Sequence, residues 1–134
     1  MIADIPVFTT PSGLTLRHAV RHDAAQVLEF VRALAVYEKL EHEVSATVED
    51  IENSLFGERA YAEVVIAEHA GRAVGFVLHF PNYSTFLGKP GIHIEDLFVL
   101  PEMRGRGFGR TLLACVAHLA EQRRVETHAA AAGA

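Results

Sequence analysis

The sequence predicts a domain of the α/β (α+β) class, in which helices flank a mostly antiparallel sheet. Amphipathic helices are predicted where apolar residues recur every three or four positions, at 22–40 and 111–124. Strands are predicted at short apolar runs, at 14–19, 61–69, 73–80 and 92–100. With one further helix near 47–56, the elements follow the order β-α-α-β-β-β-α.

Local signals set the limits of several elements. Thr47 is a suitable N-cap for the second helix, with Asp50 three residues later as its capping-box partner. Gly57 ends that helix, and Gly71 makes the turn of a hairpin between the next two strands. Because residues 81–91 contain two prolines and two glycines, we expect a loop there.

Length and charge restrict the class of protein. The 134 residues predict one domain spanning 1–134, with 1–13 as an N-terminal arm and 125–134 as a disordered tail. A formal net charge of −5 argues against a nucleic-acid partner. A single cysteine excludes an internal disulfide, and no apolar run approaches the length of a membrane span. We therefore expect a cytoplasmic protein without a membrane partner.

A glycine-rich turn lies between the last predicted strand and the last helix. Its residues are Arg104, Gly105, Arg106, Gly107, Phe108, Gly109 and Arg110. The first turn of a helix offers unpaired N–H groups and a positive dipole end, which together bind anions. Glycine lets the backbone approach a phosphate closely, and arginine adds charge-assisted hydrogen bonds. The pattern predicts a site for a cofactor that contains pyrophosphate, although a turn used only for packing is the alternative.

Two known phosphate loops do not fit this turn. A Walker A loop requires lysine after its last glycine, whereas Gly109 is followed by Arg110 and Thr111. The dinucleotide-binding fingerprint requires glycine at position 110, and no second parallel strand is predicted after the helix. Both of these cofactor classes are therefore disfavoured.

The turn matches the signature Arg/Gln-x-x-Gly-x-Gly/Ala of the GNAT superfamily of acyl-CoA-dependent N-acetyltransferases, which residues 14–124 resemble. The segments Ile94–Val99 and Val36–Glu38 look like the diamine (spermidine/spermine) branch of that superfamily. The resemblance implies a GNAT-like fold. It also implies that residues 104–110 bind the pyrophosphate of acetyl-CoA. The backbone of Leu97, Phe98 and Val99 would bind its pantetheine arm.

Four further residues are candidates for the acceptor side. An amine must lose a proton before it attacks a thioester, and a carboxylate can accept that proton. The resemblance implies Glu95 as the base or the amine anchor, with Asp96 second and with Tyr37 and Glu38 as further amine-binding residues. Since side chains alternate along a strand, Glu95 and Asp96 are expected on opposite faces. The alternatives are ordinary surface carboxylates and the end of an amphipathic helix.

The sequence gives little support for a metal site or for a catalytic nucleophile. His79, His93 and Glu95 have no recognised ligand spacing, so no metal is predicted. Cys115 lies on the apolar side of the last helix and is expected to be a core residue. Direct attack of an amine on a thioester needs no enzyme nucleophile.

The C-terminal part departs from the family. After the motif helix the family continues with a strand, a helix and further strands, and its diamine branch carries a tyrosine there that protonates the leaving thiolate. In this sequence all three tyrosines precede the motif, so no general acid is assigned. Three explanations remain open: the protein is a truncated or frameshifted family member, a partner subunit covers the open sheet edge, or solvent or another residue supplies the acid. Because an open edge invites association, we expect a homodimer or a higher oligomer.

Two functions follow from these observations. The first is an N-acetyltransferase that moves an acetyl group from acetyl-CoA to a primary amine of a small molecule, such as a polyamine, a diamine or an amino-acid-like compound. The second is a catalytically weak or inactive CoA-binding or dimerisation module derived from such an enzyme, which the short C-terminal part favours.

Overall fold

A computed structural model describes residues 8–129. Its sheet has six strands in chain order: β1 (Phe8–Thr9), β2 (Leu14–His18), β3 (Glu63–His69), β4 (Arg72–Ser84), β5 (Lys89–Val99) and β6 (Glu126–Ala129). Its α-helices are α1 (Ala24–Tyr37), α2 (Val48–Phe56) and α3 (Phe108–Gln122). Strands β1 to β5 pair antiparallel, and β6 pairs parallel with β5. The predicted class and the mostly antiparallel sheet are confirmed.

The core has two layers, one on each face of the sheet. Helix α3 covers one face, where Leu112 and Val116 join buried residues of β2 to β5. Helices α1 and α2 cover the other face, where Phe30 stacks on Phe76 with 5.4 Å between the ring centroids. Because the two layers are separate, α1 and α3 approach β5 from opposite sides.

The predicted start of α2 is confirmed in detail. The side chain of Thr47 accepts a hydrogen bond from the Asp50 N–H at 3.1 Å, and the Asp50 carboxylate accepts one from the Thr47 N–H at 2.9 Å. This reciprocal capping box satisfies two donors that the first turn would otherwise leave unpaired. Residue types at fixed spacing were sufficient to predict it.

The loop predicted at 81–91 is wrong over most of its length. Strand β4 continues to Ser84 and β5 begins at Lys89, so only residues 85–88 turn. The strand tolerates Pro81 because β3 ends opposite His79. Beyond that point one side of β4 has no neighbouring strand among the described residues, and a missing N–H is harmless on such an edge.

The tail predicted at 125–134 is also wrong in part. Residues 126–129 form β6, which pairs with β5 from Gly91 to Ile94. A strand parallel to β5 therefore follows α3, whereas the sequence predicted no parallel strand after this helix. Residues 8 and 9 of the predicted N-terminal arm likewise form β1, paired with Leu16 and Thr15. Both strands are held by backbone hydrogen bonds to a neighbouring strand. Such pairing needs no apolar pattern in the sequence, so the sequence analysis could not predict these strands. Residues 1–7 and 130–134 lie outside the described part.

Candidate functional site

The edge of β5 that faces β6 is open over its last five residues. The β5–β6 ladder ends at Ile94, and within residues 8–129 no strand pairs with 95–99 on that side. The Leu100 N–H donates to the Val74 carbonyl at 2.9 Å. Because hydrogen-bonded pairs alternate in an antiparallel ladder, the backbone groups of Phe98 point to β4, while those of Leu97 and Val99 point to the open edge. Leu97 and Val99 therefore present backbone N–H groups to a ligand, whereas the Val99 carbonyl accepts a hydrogen bond from Arg104.

The glycine turn joins this strand to α3. Gly105 and Gly107 have φ angles of 81° and 82°, in the left-handed region that favours glycine. A Cβ atom at either position would meet no atom within 4 Å. Glycine is therefore favoured here by the backbone conformation and not by close packing. The turn instead leaves space beside the exposed backbone.

Helix α3 begins at this space with no side-chain cap. Gly107 is its N-cap residue. The first helical hydrogen bond is donated by the Thr111 N–H to the Gly107 carbonyl at 3.0 Å. The first-turn N–H groups have no partner within the helix, and its dipole favours an anion. They border a cavity of about 510 Å³, lined by Val99, Met103, Arg104, Gly105, Gly107, Phe108, Gly109, Arg110 and Leu113. Arg106 is exposed and is not among the lining residues.

Two predicted loop residues have other contacts as well. The Phe108 side chain is buried against the His69 ring, with centroids 5.6 Å apart, so only its backbone can meet a ligand. The Arg104 Nε donates to the Val99 carbonyl at 2.8 Å. The Arg104 guanidinium also lies 4.5 Å from the Tyr37 ring centroid and 5.3 Å from that of Phe98. Arg104 thus connects the loop, β5 and the end of α1.

The acceptor-side carboxylates lie at a β-bulge. Leu78 of β4 pairs with Asp96, and the next ladder pair joins His79 to Ile94, so Glu95 is the extra residue. The bulge shifts the alternation, and Ile94 and Leu97, three residues apart, both enter the core layer under α3. The side chains of Glu95 and Asp96 consequently both lie on the face of the sheet opposite α3. The prediction of opposite faces is wrong, and no proline or glycine within 92–99 signals the bulge.

The environments of these two carboxylates differ. Glu95 Oε1 lies 3.4 Å from His93 Nε2, and the Glu95 side chain is 54% exposed. Asp96 is half-buried. Burial, followed by the negative charges of Glu95 and Glu38, raises the pKa of Asp96 from 3.8 to about 6. A carboxylate with such a pKa can exchange a proton near neutral pH. Glu38, Glu95 and Asp96 together form what we call the acidic cluster.

Other candidates for chemistry lie apart from this site. Burial raises the pKa of the Cys115 thiol to about 11, and the residue belongs to the core layer under α3, so its predicted packing role is confirmed. Across residues 8–129, no three or more histidine, cysteine, aspartate or glutamate side chains are grouped as metal ligands would be. None of the helices described here has the length and apolarity needed to cross a membrane.

Fold and site together define a domain that sets an uncapped helix start beside an open strand edge and an acidic cluster. Residues 27–133 match the acetyltransferase (GNAT) family, and the chain belongs to that family. The family inferred from the glycine signature is therefore confirmed.

Individual relatives support the same assignment. The thialysine N-epsilon-acetyltransferase of Mus musculus is 31% identical over 113 residues, which cover 78% of this chain and 66% of the mouse protein. The L-ornithine N5-acetyltransferase NATA1 of Arabidopsis thaliana is 42% identical over 76 residues, which cover 57% of this chain and 30% of that protein. The matched part thus spans just under two thirds of the mouse relative.

A solved structure has the same fold. The ribosomal-protein-alanine N-acetyltransferase of Brucella melitensis biovar Abortus 2308 superposes with a TM-score of 0.72. The superposition covers 88% of this chain and 79% of that chain at 22% sequence identity. At this identity the likeness supports the fold alone, and the chemistry of the site rests on its own residues.

Proposed function

We propose that this protein is an N-acetyltransferase that transfers an acetyl group from acetyl-CoA to a primary amine of a small molecule. The observation that carries the proposal is the continuity of one strand edge. It runs from the acidic cluster at Glu95 and Asp96 to the glycine turn, through the backbone groups of Leu97 and Val99. Donor and acceptor would meet where this edge begins.

The donor side fits a pyrophosphate with an amide-bearing arm. The pyrophosphate binds the first-turn N–H groups of α3, with Arg110 beside them in the cavity lining. The pantetheine amides bind Leu97 and Val99 as an additional strand would. When bound, acetyl-CoA supplies a thioester that an amine can attack. The acidic cluster lies about 10 Å from Val99 at the usual rise of a strand, so an arm extended along this edge would bring the thioester to the acidic cluster.

The acceptor side fits a cation. Glu38 and Glu95 attract the ammonium form of the substrate, and Glu95 anchors it at the bulge. Asp96, whose pKa is about 6, is ionised at neutral pH and accepts the proton that the amine must lose. The amine nitrogen then forms the new C–N bond, the C–S bond breaks, and solvent protonates the thiolate. This scheme gives Asp96 the role of base, which the resemblance alone had assigned first to Glu95.

The names of the relatives narrow the acceptor class. One is a thialysine and the other an L-ornithine acetyltransferase, which supports an amino-acid-like or diamine substrate with a primary amine.

A cytoplasmic location and a homodimer complete the proposal. Light scattering at micromolar concentration tests the homodimer, and a clean monomer would remove it.

Binding and turnover are tested separately. Calorimetric titration of acetyl-CoA measures donor binding, and thiol release is then followed with L-ornithine, thialysine and spermidine. Amine-dependent thiol release is the expected result. Binding without release would favour the CoA-binding module instead, and the absence of binding would contradict both functions.

A further inference from the structure

The contact between Arg104 and Tyr37 joins two parts of the molecule that the proposed reaction uses separately. Arg104 is the first residue of the glycine turn and lines the cavity at the start of α3. Tyr37 is the last residue of α1 and precedes Glu38 of the acidic cluster. Their contact, 4.5 Å from guanidinium carbon to ring centroid, therefore links the acceptor-side helix to the donor loop.

Three contacts fix the orientation of the Arg104 guanidinium. Its Nε is held by the Val99 carbonyl at 2.8 Å, and its faces lie near Phe98 and Tyr37. Phe98 is 1% exposed and belongs to the core, so its ring is fixed by packing. Tyr37 is 56% exposed, and Arg104 is the ring contact that the structure gives it.

The same guanidinium has one unsatisfied group. Arg104 Nη2 is buried and has no hydrogen-bond partner in the described part of the chain. An unpaired buried donor is unfavourable, and more so when it carries charge. Because Arg104 lines the cavity, its guanidinium lies beside the space in which a ligand would bind. The free protein thus holds a cation at the cavity with one of its donors still unused.

We propose that Tyr37 is a positioning residue for the donor loop, whose ring holds the Arg104 guanidinium ready for the pyrophosphate of CoA. This inference rests on the proposed function, because it needs CoA as the ligand of the turn. The stacked ring restricts a side chain that would otherwise lose several rotamers on binding. The aromatic ring carries this role and the hydroxyl does not, since cation–π attraction acts through the ring face.

Calorimetric titration with CoA, without any amine, tests this role apart from amine binding. Cation–π pairs contribute about 0.5–2 kcal/mol, so Tyr37→Ala should weaken CoA binding by roughly 2- to 30-fold. Tyr37→Phe keeps the ring and should retain the wild-type affinity. Tyr61→Ala is the matched control, because Tyr61 also contacts an arginine, Arg59 at 5.8 Å, but neither residue lines the cavity.

Two further measurements separate positioning from a general loss of structure. Pantetheine lacks the pyrophosphate, so its binding should be equal in Tyr37→Ala and wild type. In an Arg104→Gln background, Tyr37→Ala should cause no additional loss of CoA affinity, because the partner of the ring is gone.

The outcomes are distinct. If the wild type binds CoA and Tyr37→Ala binds it equally well, the positioning role is wrong while the proposed function stands. Equal weakening by Tyr37→Phe, or equal weakening for pantetheine, also overturns the role. If the wild type does not bind CoA, the proposed function itself fails, and this inference fails with it.

Discussion

Asp96 lies opposite Leu78 in the β4–β5 ladder, and the ladder resumes one residue out of step because Glu95 is extra on β5. This bulge has two consequences for the site. It directs two consecutive carboxylates away from the α3 layer, and it falls just after the point where β6 stops pairing with β5. The acidic cluster and the open strand edge therefore begin at the same place.

The raised pKa of Asp96 predicts the pH dependence of turnover. Below a pH of about 6 the carboxyl is protonated and cannot accept the amine proton, so kcat/KM should fall as the pH is lowered through that value. Asp96→Asn should lower kcat by about 10²–10⁴-fold and remove the acidic limb of the profile. An acidic limb that survives in this variant would exclude Asp96 as the base.

Glu95→Gln tests the role of the neighbouring carboxylate. It removes the anchoring charge at the bulge but keeps the side chain's length. We expect lower turnover and a higher KM for the amine, an unchanged affinity for CoA, and a retained acidic limb. Equal losses of turnover and CoA affinity, measured by steady-state kinetics and calorimetry, would contradict the assignment of Glu95 to the acceptor side.

Gly107→Glu should abolish CoA binding. It places a negative side chain at the N-cap of α3, where the pyrophosphate should lie, and strains a left-handed residue by about 1–2 kcal/mol. Gly71→Glu is the matched control, because Gly71 has a φ of 77° and equally open surroundings but lies in the β3–β4 turn. Calorimetry should find CoA binding kept in the control. Unchanged affinity in Gly107→Glu would refute the loop assignment.

His79 should make the fold sensitive to acid. It is 1% exposed, neither ring nitrogen has a hydrogen-bond partner among residues 8–129, and burial lowers its pKa from 6.5 to about 4. Glu63 opposes this shift, whereas Arg123 and His18 add to it. Between these two pH values the unfolded chain binds the extra proton, so stability falls as the pH is lowered, by up to on the order of 3 kcal/mol.

His79→Leu tests this by comparison with wild type. The variant removes the titrating group, and its stability advantage in urea denaturation should grow from pH 7 to pH 4.5. The raised pKa of Asp96 acts in the opposite direction, since that stability is lost as the pH rises from 3.8 to about 6. Because Asp96 is present in both proteins, the difference isolates His79. A difference independent of pH would show that His79 does not titrate as described.

Ala70→Asn should stabilise the β3–β4 hairpin. Ala70 and Gly71 form a two-residue turn between His69 and Arg72, and Ala70 has a φ of 52°. Such turns favour Asn-Gly, and a left-handed alanine is unfavourable by about 1–2 kcal/mol. We expect a gain of about 1 kcal/mol in urea denaturation. Ala25→Asn, on the exposed side of α1, should destabilise instead; a loss at Ala70 would contradict the turn geometry.

The parts predicted from sequence are those fixed by local chemistry. The Thr47–Asp50 capping box and the glycine turn from 104 to 110 depend on residue types at short spacing, and both were predicted with their residues. The bulge at Glu95, the strand at 126–129 and the contact of Arg104 with Tyr37 depend on residues distant in the chain. No periodicity records such pairings, so the sequence could propose candidate acceptor residues but could not predict their arrangement.

The most direct test of the account is amide hydrogen exchange along β5, measured by NMR with and without saturating CoA. The ladder leaves the Leu97 and Val99 N–H groups on the open edge and directs the Phe98 N–H to β4. If the donor binds as an added strand, exchange at Leu97 and Val99 should slow with CoA, while Phe98 changes little. Calorimetric saturation without slower exchange at Leu97 and Val99 would contradict the central claim.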